Sequence, residues 1–139
     1  MKSNHVFLAL SLMFLSACAT TPHSEKHVSS KGDPETVLVN YYVKPGREGE
    51  LQQLLSRAWD IYISERMVFD RPHVIVREND ANRKAHFIEI FTWVSHSAPE
   101  HAPDSVKAIW QQEQALCEAR DGHNGLGGGE VELLVPAHH

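Results

Sequence analysis

The stretch Ala85-His86-Phe87-Ile88-Glu89-Ile90-Phe91-Thr92-Trp93-Val94 alternates so that Phe87, Glu89, Phe91 and Trp93 fall on one side and His86, Ile88, Ile90, Thr92 and Val94 on the other. Period-two alternation in a run rich in β-branched and aromatic residues predicts a strand with both faces in use. Just before it, Asn79-Asp80-Ala81-Asn82 is a turn signal and His73 to Glu78 a second short strand, so the two form a hairpin. Further upstream, Leu51, Leu54, Leu55, Ala58, Trp59 and Tyr62 recur at spacings of three and four, which predicts a helix ending before Arg71-Pro72. Thr36 to Val43 is the first strand, stopped by Lys44-Pro45-Gly46.

Downstream, Pro99 and Pro103 punctuate the chain, and Val106, Ile109, Trp110, Glu113, Leu116, Cys117 and Arg120 then fall on one helical face. Gly125, Gly127, Gly128 and Gly129 predict a flexible loop, with a fourth strand from Glu130 to Val135. The order βαββαβ is the ferredoxin-like plan of the α+β class, an antiparallel sheet with both helices on one face. The strands carry apolar or aromatic residues at both parities, so the face without helices also needs cover. Face-to-face pairing of two sheets supplies it.

The N-terminus carries a different signal. One cation, Lys2, precedes an apolar run that closes on Leu15-Ser16-Ala17-Cys18. An apolar core of roughly 7 to 15 residues ending in small residues is a secretory signal, too short for the roughly 20 residues that span a bilayer. The small-small-Cys ending resembles a lipoprotein signal, in which cleavage leaves a lipidated Cys18 as the first residue. Ala19 after the cysteine, rather than Asp, resembles an outer-membrane destination if the cell is Gram-negative. The expected organisation is a signal peptide over 1–17, a lipidated cysteine and flexible tether over 18–35, a folded domain over 36–136 and a tail over 137–139. The expected location is extracytoplasmic, anchored to a membrane by lipid.

Without residues 1–17 the chain has 12 basic and 18 acidic side chains. That balance, with no cluster of Lys and Arg, argues against nucleic acid as a partner. With Cys18 lipidated only Cys117 remains, so no intramolecular disulfide can form, and a place on the apolar helix face reads as a small buried hydrophobe rather than a nucleophile. Ten histidines are many, but His23, His27, His138 and His139 lie in tails and no ordered pair has the spacing of a helical metal site, so no metal is expected. Glu89 shares its face with three aromatics and, if enclosed, needs a donor partner. His101, between Pro99 and Pro103 at the start of the second helix, is placed to reach the gap between helix and sheet.

The strand Phe87 to Trp93, a short polar link, His101 and a helix with Ile109-Trp110 together resemble the dimeric α/β barrel proteins of the antibiotic-biosynthesis-monooxygenase type. The opening Val43-Lys44-Pro45-Gly46-Arg47 with Glu50-Leu51 resembles that family's first turn, and Leu116-Cys117-Glu118-Ala119-Arg120-Asp121-Gly122 is similar to an uncharacterised bacterial subgroup. The resemblance implies a homodimer with a pocket between sheet and helices in each subunit. It implies as well a small apolar or aromatic ligand and, in some members, monooxygenation without a cofactor. Glu89, His101 and Asn40 are then the candidate catalytic residues, and Trp93, Phe91, Trp110 and Tyr42 the candidate ligand contacts. Haem-degrading members carry a histidine on the second helix, and none occurs here from Pro103 to Gly122. The alternative is a non-catalytic module that binds a ligand or a protein at the membrane surface. A cavity where Glu89 and His101 converge favours chemistry, and a gap filled by Trp59, Trp93 and Trp110 favours structure.

Overall fold

A computed structural model describes residues 30–134. The stretches expected to be the signal peptide, the lipidated Cys18 and most of the tether lie outside the described residues, as do residues 135–139. Strand β1 (Glu35–Tyr41) is followed by helix α1 (Glu48–Ser64), strands β2 (Val68–Asn79) and β3 (Ala85–Trp93), helix α2 (Asp104–Leu116) and strand β4 (Leu126–Glu130). The four strands form one antiparallel sheet in the order β2-β3-β1-β4, which is the ferredoxin-like arrangement expected from the element order. Residues 30–33, read in the sequence as the end of the tether, make a turn tied to the domain: the His96 N–H donates to the Asp33 carbonyl at 2.8 Å.

Both helices pack on one face of the sheet. From α1, Leu51, Leu54, Leu55, Ala58 and Tyr62 are buried, and from α2, Val106, Ile109, Glu113 and Leu116. They meet Val37, Tyr41 and Val43 of the first strand and its extension and Phe87, Phe91 and Trp93 of β3 in one core. Burying this stripe is the main favourable term, at roughly 25 cal/mol per Å² of apolar surface removed from water. Glu48 and Glu50 in the first turn of α1 suit the positive end of its dipole. Among the described residues no helix is long and apolar enough to cross a membrane.

Two strands depart from the expectation. β2 is longer than His73 to Glu78 and takes in Val68, with a shift of register between Val68 and His73 around Pro72, a residue that cannot donate to a ladder. β4 is the larger correction. The glycine run expected to be a loop is itself the strand, in register from Val37 opposite Glu130 to Tyr41 opposite Leu126. Residues 131–134, expected as strand, lie beyond its end, with Leu133 and Leu134 exposed. The reason is steric: a Cβ at Gly128 would overlap the Leu38 carbonyl oxygen, so β4 lies too close to β1 for any side chain there. Close pairing has overridden the β-propensity of the Glu130 to Val135 run.

Candidate functional site

Alternation along β3 directs Glu89 to the helix side, and its register with β1 puts Val39 opposite it and Tyr41 opposite Phe87. Glu89 is only 2% exposed, so both carboxyl oxygens need donors. The Tyr41 hydroxyl donates to Oε2 at 2.8 Å, and His73 Nε2 meets Oε1 at 2.8 Å. Burial, and after it the charge of Glu89, pushes the Tyr41 phenol well above its ordinary range, so Tyr41 is a fixed donor. With an acceptor at Oε1, the proton of the neutral imidazole belongs on Nε2, which leaves the His73 Nδ1 lone pair free. That nitrogen has no partner among the described residues.

His73 is on β2, opposite Phe91, and its ring stacks on Trp59 of α1 with centroids 3.5 Å apart and planes 11° from parallel. Its side chain is about a fifth exposed and borders an open hollow of about 760 Å³ lined by Trp59 and the segment from Asp70 to Val74. The imidazole thus joins the buried Glu89 to a residue that lines the hollow. This is the arrangement in which a carboxylate fixes a tautomer and stabilises the imidazolium that forms when the histidine takes up a proton.

Behind the dyad the space between sheet and helices is occupied by rings. Phe91 and Trp93 meet edge to face at 4.8 Å, Trp93 and Trp110 at 6.3 Å, and Tyr62 packs on both Phe91 and Trp93. Trp110 Nε1 donates to the Tyr62 hydroxyl at 2.8 Å, and burial first, then the nearby Glu113 charge, raises the Tyr62 phenol. Glu113 is 2% exposed and its Oε1 has no hydrogen-bond partner among the described residues. Burial, then the charge of Glu89, pushes the Glu113 carboxyl up to about 8. Of the two acidic groups on facing elements, Glu89 has a partner at each carboxyl oxygen. Glu113 has none and is the acid.

The residues singled out in the sequence are divided by the structure. Glu89, Phe91, Trp93 and Trp110 share the helix side. Asn40 and Tyr42 lie on the opposite sheet face: Asn40 Oδ1 meets His86 Nε2 at 2.9 Å, and the Tyr42 ring stacks on His86 with centroids 4.3 Å apart. His101 does not reach Glu89. It is exposed in the short 3-10 turn Pro99–His101, with Nδ1 bonded to the Ser97 carbonyl at 2.9 Å, and Ala102 takes the buried place beside it. The imidazole that meets Glu89 is His73. Its signal needed the hairpin register: with Asn79 opposite Ala85, His73 falls across from Phe91, two pairs from Glu89 and on the same face. Among the described residues no group of three or more His, Cys, Asp or Glu side chains is placed to hold a metal ion. Cys117 is buried, and its burial, with the Glu113 charge, pushes the thiol up to about 12.

No protein-family model matches the chain, and no curated protein matches its sequence. Solved structures do match its fold. SnoaB, a cofactor-independent oxygenase from Streptomyces nogalater, aligns at a TM-score of 0.54 and 19% identity over 76% of this chain and 99% of that one. An antibiotic-biosynthesis-monooxygenase-type protein of Bacteroides thetaiotaomicron aligns at 0.54 and 14% identity over 79% and 98%. Rv0793 from Mycobacterium tuberculosis aligns at 0.52 and 15% identity over 76% and 100%. The chain therefore has the α+β fold of these proteins, as its sequence resemblance implied. At such identities the likeness carries the fold alone.

Proposed function

We propose that the domain binds a small aromatic molecule with an acidic proton at the mouth formed by Trp59 and His73, and that His73 is its general base. The observation that carries this reading is the Tyr41–Glu89–His73 chain, whose outer member, His73, lines the hollow. A proton passes from ligand to His73 Nδ1, and Glu89, held by Tyr41, stabilises the imidazolium. An electron-rich phenol so deprotonated is a reductant for dioxygen. In a monooxygenation one oxygen atom enters the substrate and the other leaves as water, all four electrons coming from the substrate, so no cofactor is required. The cofactor-independent oxygenase among the fold neighbours supports that extension.

A non-catalytic binding module is the second reading, favoured by the rings of Tyr62, Phe91, Trp93 and Trp110 that fill the gap behind the dyad. Titration with 1-naphthol, followed by Trp fluorescence and by oxygen uptake, separates the two. Binding and uptake in the native chain, both lost by tenfold or more in His73→Gln, support the base. Binding without uptake supports the module. Binding unaltered in both His73→Gln and Trp59→Ala refutes the site.

We propose as well that the chain forms a homodimer and is held to a membrane by lipid. Leu38, Val74, Val76, Ile88 and Ile90 stand on the sheet face that carries no helix, with Val74 and Val76 each 46% exposed, and this supports a homodimer closed over that face. Such an interface should bury well above about 1,200 Å², and light scattering at micromolar concentration should give twice the chain mass. The Leu15 to Cys18 ending supports a lipid anchor outside the cytoplasm. Cys18→Ser should then move the protein out of the membrane fraction.

A further inference from the structure

Seven large apolar side chains are exposed among the described residues, and they are unevenly placed. Val74, Ile75 and Val76 lie along β2. The other four, Ile63, Phe69, Leu133 and Leu134, gather at one end of the sheet, marked by the rung on which Trp93 pairs with both Glu35 and Val68. Ile63 is in the last turn of α1, next to the turn in which the Met67 N–H donates to the Tyr62 carbonyl at 3.0 Å, and Phe69 follows Val68 directly. Leu133 and Leu134 come just after Val131, whose N–H donates to the Thr36 carbonyl at 2.9 Å. Leu134 is 81% exposed. The opposite end presents Arg47, Asn82 and Arg83 and, among the described residues, no exposed large apolar side chain. An apolar cluster confined to one end of a polar surface marks a contact.

The path of the chain says what lies under that end. Residues 30–33 are held there, with the Ser97 N–H donating to the Lys31 carbonyl at 3.3 Å and the His96 N–H to the Asp33 carbonyl at 2.8 Å. Eleven residues separate Cys18 from Ser30, so the reach between them is at most about 40 Å. A lipid on Cys18 therefore holds this end, rather than the polar one, nearest the membrane. A tethered surface is met at high effective concentration, so four apolar side chains suffice to orient the domain. Lys31 and Arg66 are offset at the same end by Asp33, Glu65 and Glu132, and charge gives no preference for anionic lipid.

From this placement we propose that this end of the domain sits on the bilayer, with Ile63, Phe69, Leu133 and Leu134 entering the boundary between headgroups and acyl chains. The docking rests on the lipidation of Cys18 and not on the chemistry of His73. It also places the Trp59–His73 mouth. His73 pairs with Phe91, two residues from Trp93, so it stands roughly 7 Å from the docked rung, where an aromatic compound dissolved in lipid leaves the membrane.

The test uses the full lipidated chain in phosphatidylcholine vesicles, with a nitroxide label in turn at Phe69→Cys, at Leu133→Cys and, at the far end, at Asn82→Cys. Cys117 is buried and stays unlabelled, and mass spectrometry of the N-terminal peptide reports the lipid on Cys18. Labels at positions 69 and 133 should be reached by oxygen and shielded from a water-soluble nickel chelate, with the ratio of the two accessibilities at least tenfold above that at position 82. Because a label brings its own apolar surface, a further reporter at the exposed Ser64→Cys is read with and without Phe69→Asp and Leu134→Asp. The two substitutions should raise its nickel accessibility to that of position 82 while the melting temperature holds. On a lipidated chain, labels at 69 and 133 as open to nickel as the one at 82 overturn the docking alone. Labels closed to both reagents overturn it as well, since a second copy of the chain would then cover this end. An unmodified Cys18 ends the anchor reading and the docking with it.

Discussion

Arg120 and Glu113 stand on either side of Cys117, and both are buried ionisable side chains, but their burial is resolved in opposite ways. The two terminal nitrogens of Arg120 make four bonds. Nη1 donates to Asp80 Oδ2 and to the Ala85 carbonyl, each at 3.1 Å, and Nη2 donates to the Val43 carbonyl at 2.6 Å and to Glu118 Oε1 at 3.2 Å. One cation thereby joins the β2–β3 turn, the end of the first strand and the segment after α2. Among the described residues Glu113 Oε1 has no partner, as Arg120 Nε has none, but Glu113 has no other bonds to offset this and escapes the cost of a buried charge by holding its proton. The cation with partners is an element of architecture, and the acid without them is a titratable group stored in the core.

Arg120→Met should cost more stability than any other substitution considered for this core. It leaves the buried Ala85 and Val43 carbonyls without their donor, at about 1 to 3 kcal/mol for each orphaned acceptor, and takes the cation from the partly exposed Asp80 and Glu118 carboxylates. Urea denaturation near neutral pH measures the loss. A loss below about 1 kcal/mol would mean that water replaces the guanidinium and that the clamp is not architectural.

Glu113→Gln tests whether the unpartnered acid keeps its proton in the folded chain. The folded-state pKa is raised, to about 8 from 4.5, so the folded chain keeps a proton that the unfolded chain releases. The associated stability is present in full below about pH 4.5 and declines as pH rises toward about 8, at about 1.4 kcal/mol per pH unit. Between pH 6 and pH 7 the native chain should lose about 1.4 kcal/mol more than Glu113→Gln, which has no proton to release there. Parallel stability profiles for the two proteins would place Glu113 in water and end the comparison.

The architecture was legible because its signals are local. The three-four spacing from Leu51 to Tyr62 and the alternation from Ala85 to Val94 each state an element and its face, and their order names the fold. What was not legible depends on pairing. Alternation says that Tyr41 and Tyr42 point to opposite faces but not which of them meets Glu89, and only the register with β3 assigns Tyr41 to the helix side and Tyr42 to the other. His73 was hidden for the same reason, while His101 drew attention by its place in the chain, although a turn opened by Pro99 carries it outward. The β4 strand was hidden because glycine has no β-propensity to read. Its strand character comes from how close β1 lies, a property of the folded pair rather than of the segment.

Cys117, between the two groups compared, gives the smallest expected effect and tests the burial on which both arguments rest. Cys117 is 7% exposed, and burial, followed by the Glu113 charge, pushes its thiol pKa up to about 12. Only the thiolate is an effective nucleophile, so at pH 8 the reactive fraction is on the order of one in ten thousand, against roughly a quarter for an unperturbed thiol near 8.5. Iodoacetamide should therefore leave Cys117 unmodified for hours in the native chain and alkylate it within minutes in urea. Cys117→Ala removes one small buried side chain, and the melting temperature should fall by only a few degrees, corresponding to about 1 kcal/mol. Prompt alkylation without denaturant would show that the end of α2 opens to water on its own. Glu113, one turn earlier, would then be hydrated part of the time, and the pH slope assigned to it would flatten in proportion.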